Sequence, residues 1–77
     1  MNQIKELKMD IAASLWIVPC SEAELMERDF LKNRSPEMIQ RLLLQMETDK
    51  WIYMKGDMLF CYGRTVKHIL NPNGYEL

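Results

Sequence analysis

The spacing of apolar residues along the chain predicts a strongly amphipathic helix near its middle. Four apolar residues recur at helical spacing and form one stripe: Ile39, Leu42, Leu43 and Met46. Ser35 is a good N-cap, and Pro36 suits the first helical position, where its missing N–H is not needed. We predict that this helix ends at Thr48 or Asp49, with Leu44 on the side away from the stripe.

A β-hairpin is predicted directly after this helix. Residues 51–54 and 58–62 are short apolar runs rich in aromatic side chains, which favour strands. The three residues between them, Lys55, Gly56 and Asp57, form the predicted turn. Glycine supplies the positive φ that a tight hairpin turn requires.

The N-terminal part of the chain predicts a first helix over residues 2–15 or 2–16. Its apolar stripe consists of Ile4, Leu7, Ile11 and Leu15. A second, weaker apolar flank consists of Met9, Ala12, Ala13 and Trp16. We expect this flank either to pack under the C-terminal tail or to contact a second subunit. Residues 16–19 then predict a very short edge strand or an extended link, because Pro19 cannot donate to a sheet.

A capping box predicts the start of a second helix. Ser21 and Glu24 have the spacing at which the hydroxyl accepts from the Glu24 N–H and the carboxylate reaches back. We expect this helix over residues 22–31 and a polar turn over residues 32–34. The expected inward residues are Ala23, Met26 and Phe30, with Leu25 towards one edge.

Size and composition favour one small folded domain. The chain has 77 residues, a length near the lower limit for a self-sufficient apolar core. Its hydrophobic fraction of 48% favours a folded domain over a disordered segment. Ten Lys and Arg against eleven Asp and Glu give a formal net charge of -1. A nucleic-acid-binding protein usually has a basic excess, so any basic patch here must be local.

Cysteine usage and hydropathy predict a cytoplasmic protein with reduced thiols, no metal and no cofactor. Cys20 and Cys61 lie far apart, and with His68 they lack the ligand spacing of a metal site. Charged residues interrupt any N-terminal apolar run, and no run approaches the roughly 20 residues needed to span a bilayer. We therefore expect no membrane contact.

Residues 35–47, followed by residues 50–52, resemble the third helix and first wing strand of the winged helix-turn-helix superfamily. Residues 24–26 resemble its second-helix signature, and the order of elements agrees over residues 2–62. The superfamily often has glycine before the wing strand and in the turn before the third helix. This chain has Lys50 at the first place and no glycine at the second.

The resemblance implies an α+β fold: a small three-helix domain with a C-terminal β-hairpin wing. It implies a winged-helix domain over residues 1–62. Residues 63–77 then form a tail, with a short helix over residues 64–70, that packs on the same domain or serves dimerisation. Winged-helix proteins of this size include small transcriptional regulators and accessory proteins of ferrous-iron transport. The latter carry a cysteine cluster in the wing that Cys61 alone does not reproduce.

The first functional hypothesis, taken from this resemblance, is a small, dimeric transcriptional regulator that binds double-stranded DNA. The outward face of the third helix would read bases and the wing would contact the backbone. The candidate DNA-binding residues are Arg34, Gln40, Arg41, Gln45, Lys55 and Arg64. Glu37 has the wrong sign for phosphate, and Leu44 is apolar where a DNA groove offers only thymine methyls.

The alternative is an adapter that uses the same shape to bind a protein partner without contacting nucleic acid. The candidate interface residues are Met38, Leu44, Met9 and Trp16. A contiguous patch of Met38, Leu44 and aromatic residues would favour the adapter, and a shared face of basic residues would favour DNA. An enzyme is disfavoured because no convergent titratable groups, and so no catalytic residues, are evident. A Cys61–His68 dyad is less plausible than an ordinary surface histidine.

Overall fold

The computed structural model describes residues 3–65, and over these the chain is a small α+β domain. The elements in chain order are α1 (Gln3–Ile17), β1 (Cys20–Ser21), α2 (Glu22–Met26), α3 (Pro36–Thr48), β2 (Ile52–Lys55), β3 (Met58–Cys61) and α4 (Gly63–Thr65). The three strands form an antiparallel sheet in the order β1-β3-β2. The coarse prediction of helices followed by an antiparallel hairpin is therefore confirmed.

A single apolar core lies where α1 packs against β3 and α3 packs against β2. Its buried members are Leu7, Ile11, Ala12, Leu15, Cys20, Leu25, Leu31, Ile39, Leu42, Leu43, Met46, Ile52, Leu59 and Cys61. The predicted stripe of α3 is buried in full, so that prediction is confirmed. In α1 the core begins at Leu7. The prediction that Ile4, one turn earlier, belongs to the buried stripe is wrong, because its side chain is 53% exposed.

Helix α3 has the ends that its sequence predicts. The Ser35 hydroxyl accepts from the Met38 N–H, and Pro36 occupies the first turn. At the other end the Trp51 N–H donates to the Met46 carbonyl at 2.9 Å, and the Lys50 N–H donates to the Glu47 carbonyl at 3.1 Å. This pair of bonds is a Schellman motif, in which the residue after the C-cap is left-handed. Lys50 accordingly has a φ of 65°, at the position where the superfamily that the sequence resembles often has glycine.

The hairpin forms as predicted, with a shorter turn. Lys55 pairs with Met58, so the connecting loop is Gly56-Asp57 and Lys55 belongs to β2. Gly56 has a φ of 65°, as a two-residue hairpin turn with glycine first requires. Beyond the strands, the Tyr62 N–H donates to the Trp51 carbonyl at 3.0 Å and extends the ladder.

The segment between α1 and α2 corrects the prediction of a very short edge strand or an extended link over residues 16–19, since residues 16 and 17 are helical. The Val18 N–H donates to the Ser14 carbonyl at 3.0 Å, so the helical bonding of α1 continues through Ile17. Pro19 lacks a donor and ends that pattern. The short strand therefore starts later, at Cys20, which pairs with Leu59.

Helix α2 is the clearest error of the sequence analysis. It covers only Glu22–Met26 and gives way to turns over residues 27–34, where residues 22–31 were predicted to be helical. The inward residues also differ, since Leu25 and Leu31 are buried while Ala23 and Phe30 are exposed.

The predicted cap of α2 is confirmed. The Ser21 hydroxyl accepts from the Glu24 N–H at 3.2 Å. The carboxylate of Glu24 accepts from the same hydroxyl at 3.0 Å.

The physical reason for the short α2 is a contact across the chain. The Arg28 guanidinium donates to the Ser14 carbonyl at 3.1 Å, to the Ser14 hydroxyl, and to the Val18 carbonyl at 2.7 Å. These are acceptors at the end of α1, which has no basic residue in its own last turn. A cation there satisfies open carbonyls and complements the helix dipole. Arg28 thus anchors residues 27–34, whose backbone bonds mostly span three residues instead of four, to the end of α1.

The C-terminal region is described only as far as Thr65. Thr65 is buried, and its hydroxyl donates to the Trp51 carbonyl at 2.9 Å, so the start of the predicted tail packs on the domain. The predicted helix over residues 64–70 is described only in its first residues, and His68 and the rest of the tail lie outside the described residues. Within residues 3–65, no helix has both the length and the apolar character needed to cross a bilayer.

Candidate functional site

A groove of about 260 Å³ runs between α3 and the hairpin. Its lining residues come from four elements of the fold: Glu22, Gln40, Leu43, Leu44, Glu47, Met54 and Leu59. Leu43 and Leu59 are buried and form its floor. Leu44 is 66% exposed and Met54 is 51% exposed, so these two side chains form apolar walls that stand out into solvent.

Local geometry explains why these residues meet. On α3, positions three and four apart lie on one side of the helix, which groups Gln40, Leu43, Leu44 and Glu47. In the hairpin, Met54 lies directly opposite Leu59, so both side chains leave the same face of the sheet. The short turn sets that register. A slip of one residue would put Met54 on the other face.

The groove has an acidic rim. Glu22 and Glu47 line it, and a second depression of about 270 Å³ beside it is lined by Glu37, Gln40, Arg41 and Leu44. Among the residues that line these two depressions, Arg41 is the one cation. The outward face of α3 is therefore acidic as well as apolar.

The predicted basic residues do not gather on one face of the described chain. Arg34 lies in a cleft beside α1, together with Glu6 and Asp10. Lys55 is exposed at the hairpin turn, and the Arg64 guanidinium lies 5.3 Å from the centre of the Tyr62 ring. Only Arg41, with the neutral Gln40 and Gln45, belongs to the exposed side of α3.

The outer face of the sheet carries an aromatic row that the sequence analysis missed. The Tyr53 and Phe60 rings stack at 5.4 Å between centroids, and the Tyr53 and Tyr62 rings meet at 4.7 Å. The hairpin register was the available signal, because it places Tyr53 opposite Phe60, and Tyr62, two residues further on, leaves the same face. Arg64 covers one end of this row.

The predicted protein-interface residues separate into different surroundings. Leu44 is exposed as expected. The prediction that Met38 faces outward is corrected: its side chain is partly buried and packs against the core instead of joining an outward patch. Met9 is half-buried in α1, and Trp16 is 47% exposed at the end of α1, next to Gly63. Leu44 therefore lines the groove together with Met54 of the hairpin, a residue that was not predicted.

The two cysteines are buried and have no reactive partner in the described chain. Burial raises the pKa of the Cys20 thiol, and the nearby Arg28 charge offsets this only in part. Burial likewise raises the pKa of the Cys61 thiol. Thiols that stay protonated are poor nucleophiles and poor metal ligands. Over residues 3–65, no three His, Cys, Asp or Glu side chains gather closely enough to hold a metal ion.

Comparison with protein-family models, curated proteins and solved structures finds no match for this chain.

Proposed function

We propose that this chain is a winged-helix domain that acts as a protein-interaction module. Its α3–hairpin groove takes apolar side chains from a partner segment that also carries Lys or Arg. The observation that carries the proposal is the pair of exposed apolar walls, Leu44 and Met54, standing over a buried apolar floor. Apolar side chains exposed together beside a groove are typical of interaction sites.

The size of the groove favours a partner's side chains over a small molecule. Small-molecule pockets typically enclose about 300–1,000 Å³ and bury most of the ligand. This groove holds about 260 Å³ and is open to solvent between its walls. It suits one or two anchoring side chains, the arrangement by which a few residues dominate protein interfaces.

The charge of the groove favours a basic protein segment over DNA. In winged-helix proteins that bind DNA, the outward face of the third helix meets the DNA groove and its phosphates. Here that face presents Glu37 and Glu47, with Glu22 across the groove. Phosphates would be repelled by these carboxylates, whereas a partner's Lys or Arg would be attracted.

Double-stranded DNA remains the second candidate, and one observation favours it. Gln40 and Arg41 lie side by side on the exposed surface of α3 and line the same depression. Gln and Arg make bidentate contacts to adenine and guanine edges. In that case Gln45 and Lys55 would extend the contact along the helix and at the hairpin turn, as the sequence analysis expected.

A selection followed by mapping separates the two candidates. A displayed library of random peptides is selected on the full chain, and a recovered peptide is titrated while the methyl resonances are followed by NMR. We expect the recovered sequences to be rich in large apolar residues and in Lys or Arg. The methyls of Leu43, Leu44, Met54 and Leu59 should shift, and those of Leu7 and Leu15, on the buried face of α1, should not.

Salt dependence and a duplex titration provide the controls. Peptide affinity should fall modestly with salt, and Glu47→Gln should reduce that dependence because it removes one rim charge. The same chain is titrated with a pool of random DNA duplexes at low salt. Tight duplex binding that falls steeply with salt and is lost with Arg41→Ala would contradict the proposal and support DNA. Peptides that shift methyls elsewhere would contradict the groove.

A further inference from the structure

The groove is bordered by a free edge of the sheet. In the order β1-β3-β2, strand β2 pairs with β3 on one side only. Its register with β3 runs without interruption from Ile52 to Lys55, with no bulge and no proline. Natural sheets commonly protect an edge strand with a bulge, a proline, a charged residue or a very short strand. Strand β2 has four residues, and its one charge is Lys55 at the end of the strand.

The hydrogen-bond pattern shows which backbone groups the edge offers. Antiparallel pairs alternate between residues that bond to each other and residues that do not. The Tyr62 N–H bonds to the Trp51 carbonyl, so by alternation Tyr53 and Lys55 point their backbone groups towards β3. Ile52 and Met54 point theirs outward. In the part of the chain that the structure describes, no backbone group pairs with these outward N–H and C=O groups.

Exposed apolar side chains flank this edge on both faces of the sheet. On the groove side, Met54 stands beside Leu44. On the outer side, Tyr53 is 37% exposed and continues into the aromatic row. Successive residues of a strand point to opposite faces. A strand added here would therefore place alternate side chains on the Met54–Leu44 pair and on Tyr53, whereas a helix in the groove would reach only the first.

We infer that the partner segment binds in an extended conformation and joins the sheet as a further strand along the free edge of β2. This inference rests on the proposed function and specifies how the partner is recognised. Backbone hydrogen bonds to Ile52 and Met54 supply the pairing, and side chains that enter the groove supply selectivity. The sequence recognised has alternate large apolar residues, with a Lys or Arg placed to meet Glu47.

Charge complementarity favours such a partner over a second copy of this chain. The groove beside the edge is lined by Glu22 and Glu47 and by no cation. Two copies paired edge to edge would each bring this acidic rim to the interface and leave it uncompensated. A partner segment with Lys or Arg compensates it.

Two substitutions at one position test the inference. Met54→Ala and Met54→Pro both remove the thioether side chain, but only proline also removes the outward N–H. A peptide recovered on the unchanged full chain should bind Met54→Ala somewhat more weakly than the parent. It should bind Met54→Pro a further tenfold or so more weakly, because a carbonyl of the peptide is left without its donor. Equal affinities for the two variants would overturn the added strand and leave the groove as the binding site.

Amide hydrogen exchange in the unchanged chain gives a second readout that does not depend on the variants folding. Adding the peptide should slow exchange of the outward amides of Ile52 and Met54, while amides of the α3 interior change little. Unchanged exchange at both positions would overturn the inference, as would sedimentation showing that the unchanged chain is a dimer without peptide and that Met54→Pro is a monomer. If no peptide is recovered at all, the proposed function fails and the inference falls with it.

Discussion

Helix α3 and the turn over residues 27–34 enclose the same core but are held in place differently. The ends of α3 are bonded within its own neighbourhood, by the Ser35 hydroxyl at the start and by the Trp51 and Lys50 amides at the finish. The 27–34 turn is anchored by Arg28, whose partners lie 14 and 10 residues away in α1 and just after it. One region is specified locally and the other by a long-range contact.

The residues that line the groove differ in the same way, since some lie on a locally specified element and others do not. Leu43, Leu44 and Glu47 stand on the locally specified helix, so the spacing between them is set by the helix itself. Glu22 stands on α2, which leads into the turn anchored by Arg28. We therefore expect Leu44 and Glu47 to keep their relative positions under changes that displace Glu22.

The largest expected effect is that of Arg28→Ala. Arg28→Ala loses charge-assisted bonds to the Ser14 hydroxyl and carbonyl and to the Val18 carbonyl, and we expect the free energy of unfolding to fall by about 2 kcal/mol. Urea denaturation measures this. Arg41→Ala, which removes an exposed arginine of α3, should change it by no more than about 0.5 kcal/mol. Equal effects of the two substitutions would mean that the turn is not anchored in this way.

Ser35→Ala tests the local side of the comparison. Removing the N-cap hydroxyl leaves the Met38 N–H without its acceptor and should cost about 1 kcal/mol. Ser35→Asp restores an acceptor and should recover most of this loss. Denaturation of the three proteins under the same conditions gives the result. A loss as large as that of Arg28→Ala would contradict the ranking of the two regions.

Lys50→Gly should have the smallest effect and the opposite sign. Lys50 has a φ of 65°, which strains a residue with a Cβ, and glycine relieves this strain. We expect a gain of about 0.5–1 kcal/mol, part of it lost to the greater freedom of glycine in the unfolded chain. Lys50→Ala keeps the strain and is the matched control. A gain with alanine as large as that with glycine would show that the lysine side chain, not the backbone, is unfavourable.

The part of the fold that sequence reasoning predicted is the part specified by neighbouring residues. The N-cap and stripe of α3, the positive φ of Gly56 and the Ser21 cap all act over a few positions, and each is found as expected. The length of α2 and the position of β1 were wrong. They depend on Arg28 meeting Ser14 and on Cys20 pairing with Leu59, which are contacts between distant parts of the chain.

The candidate site divides in the same way. Leu44 was predicted to be exposed because helical periodicity alone places it opposite the core stripe. Met54 was missed as the facing wall because its place opposite Leu59 depends on strand register, and the register depends on a turn of two residues instead of three. Spacing along the sequence likewise gave no indication that Arg34 would lie beside Glu6 and Asp10 of α1.

Peptide affinity of Leu44→Gln, compared with Gln45→Ala, tests the proposed groove most directly. Both changes lie on the exposed side of α3, leave the net charge unchanged and suit a helix, but only Leu44 lines the groove. We predict that a peptide selected on the unchanged chain binds Leu44→Gln at least roughly tenfold more weakly, as expected when an apolar anchor is lost, and binds Gln45→Ala within about threefold of the parent. Equal affinities for the two variants would contradict the groove as the binding site.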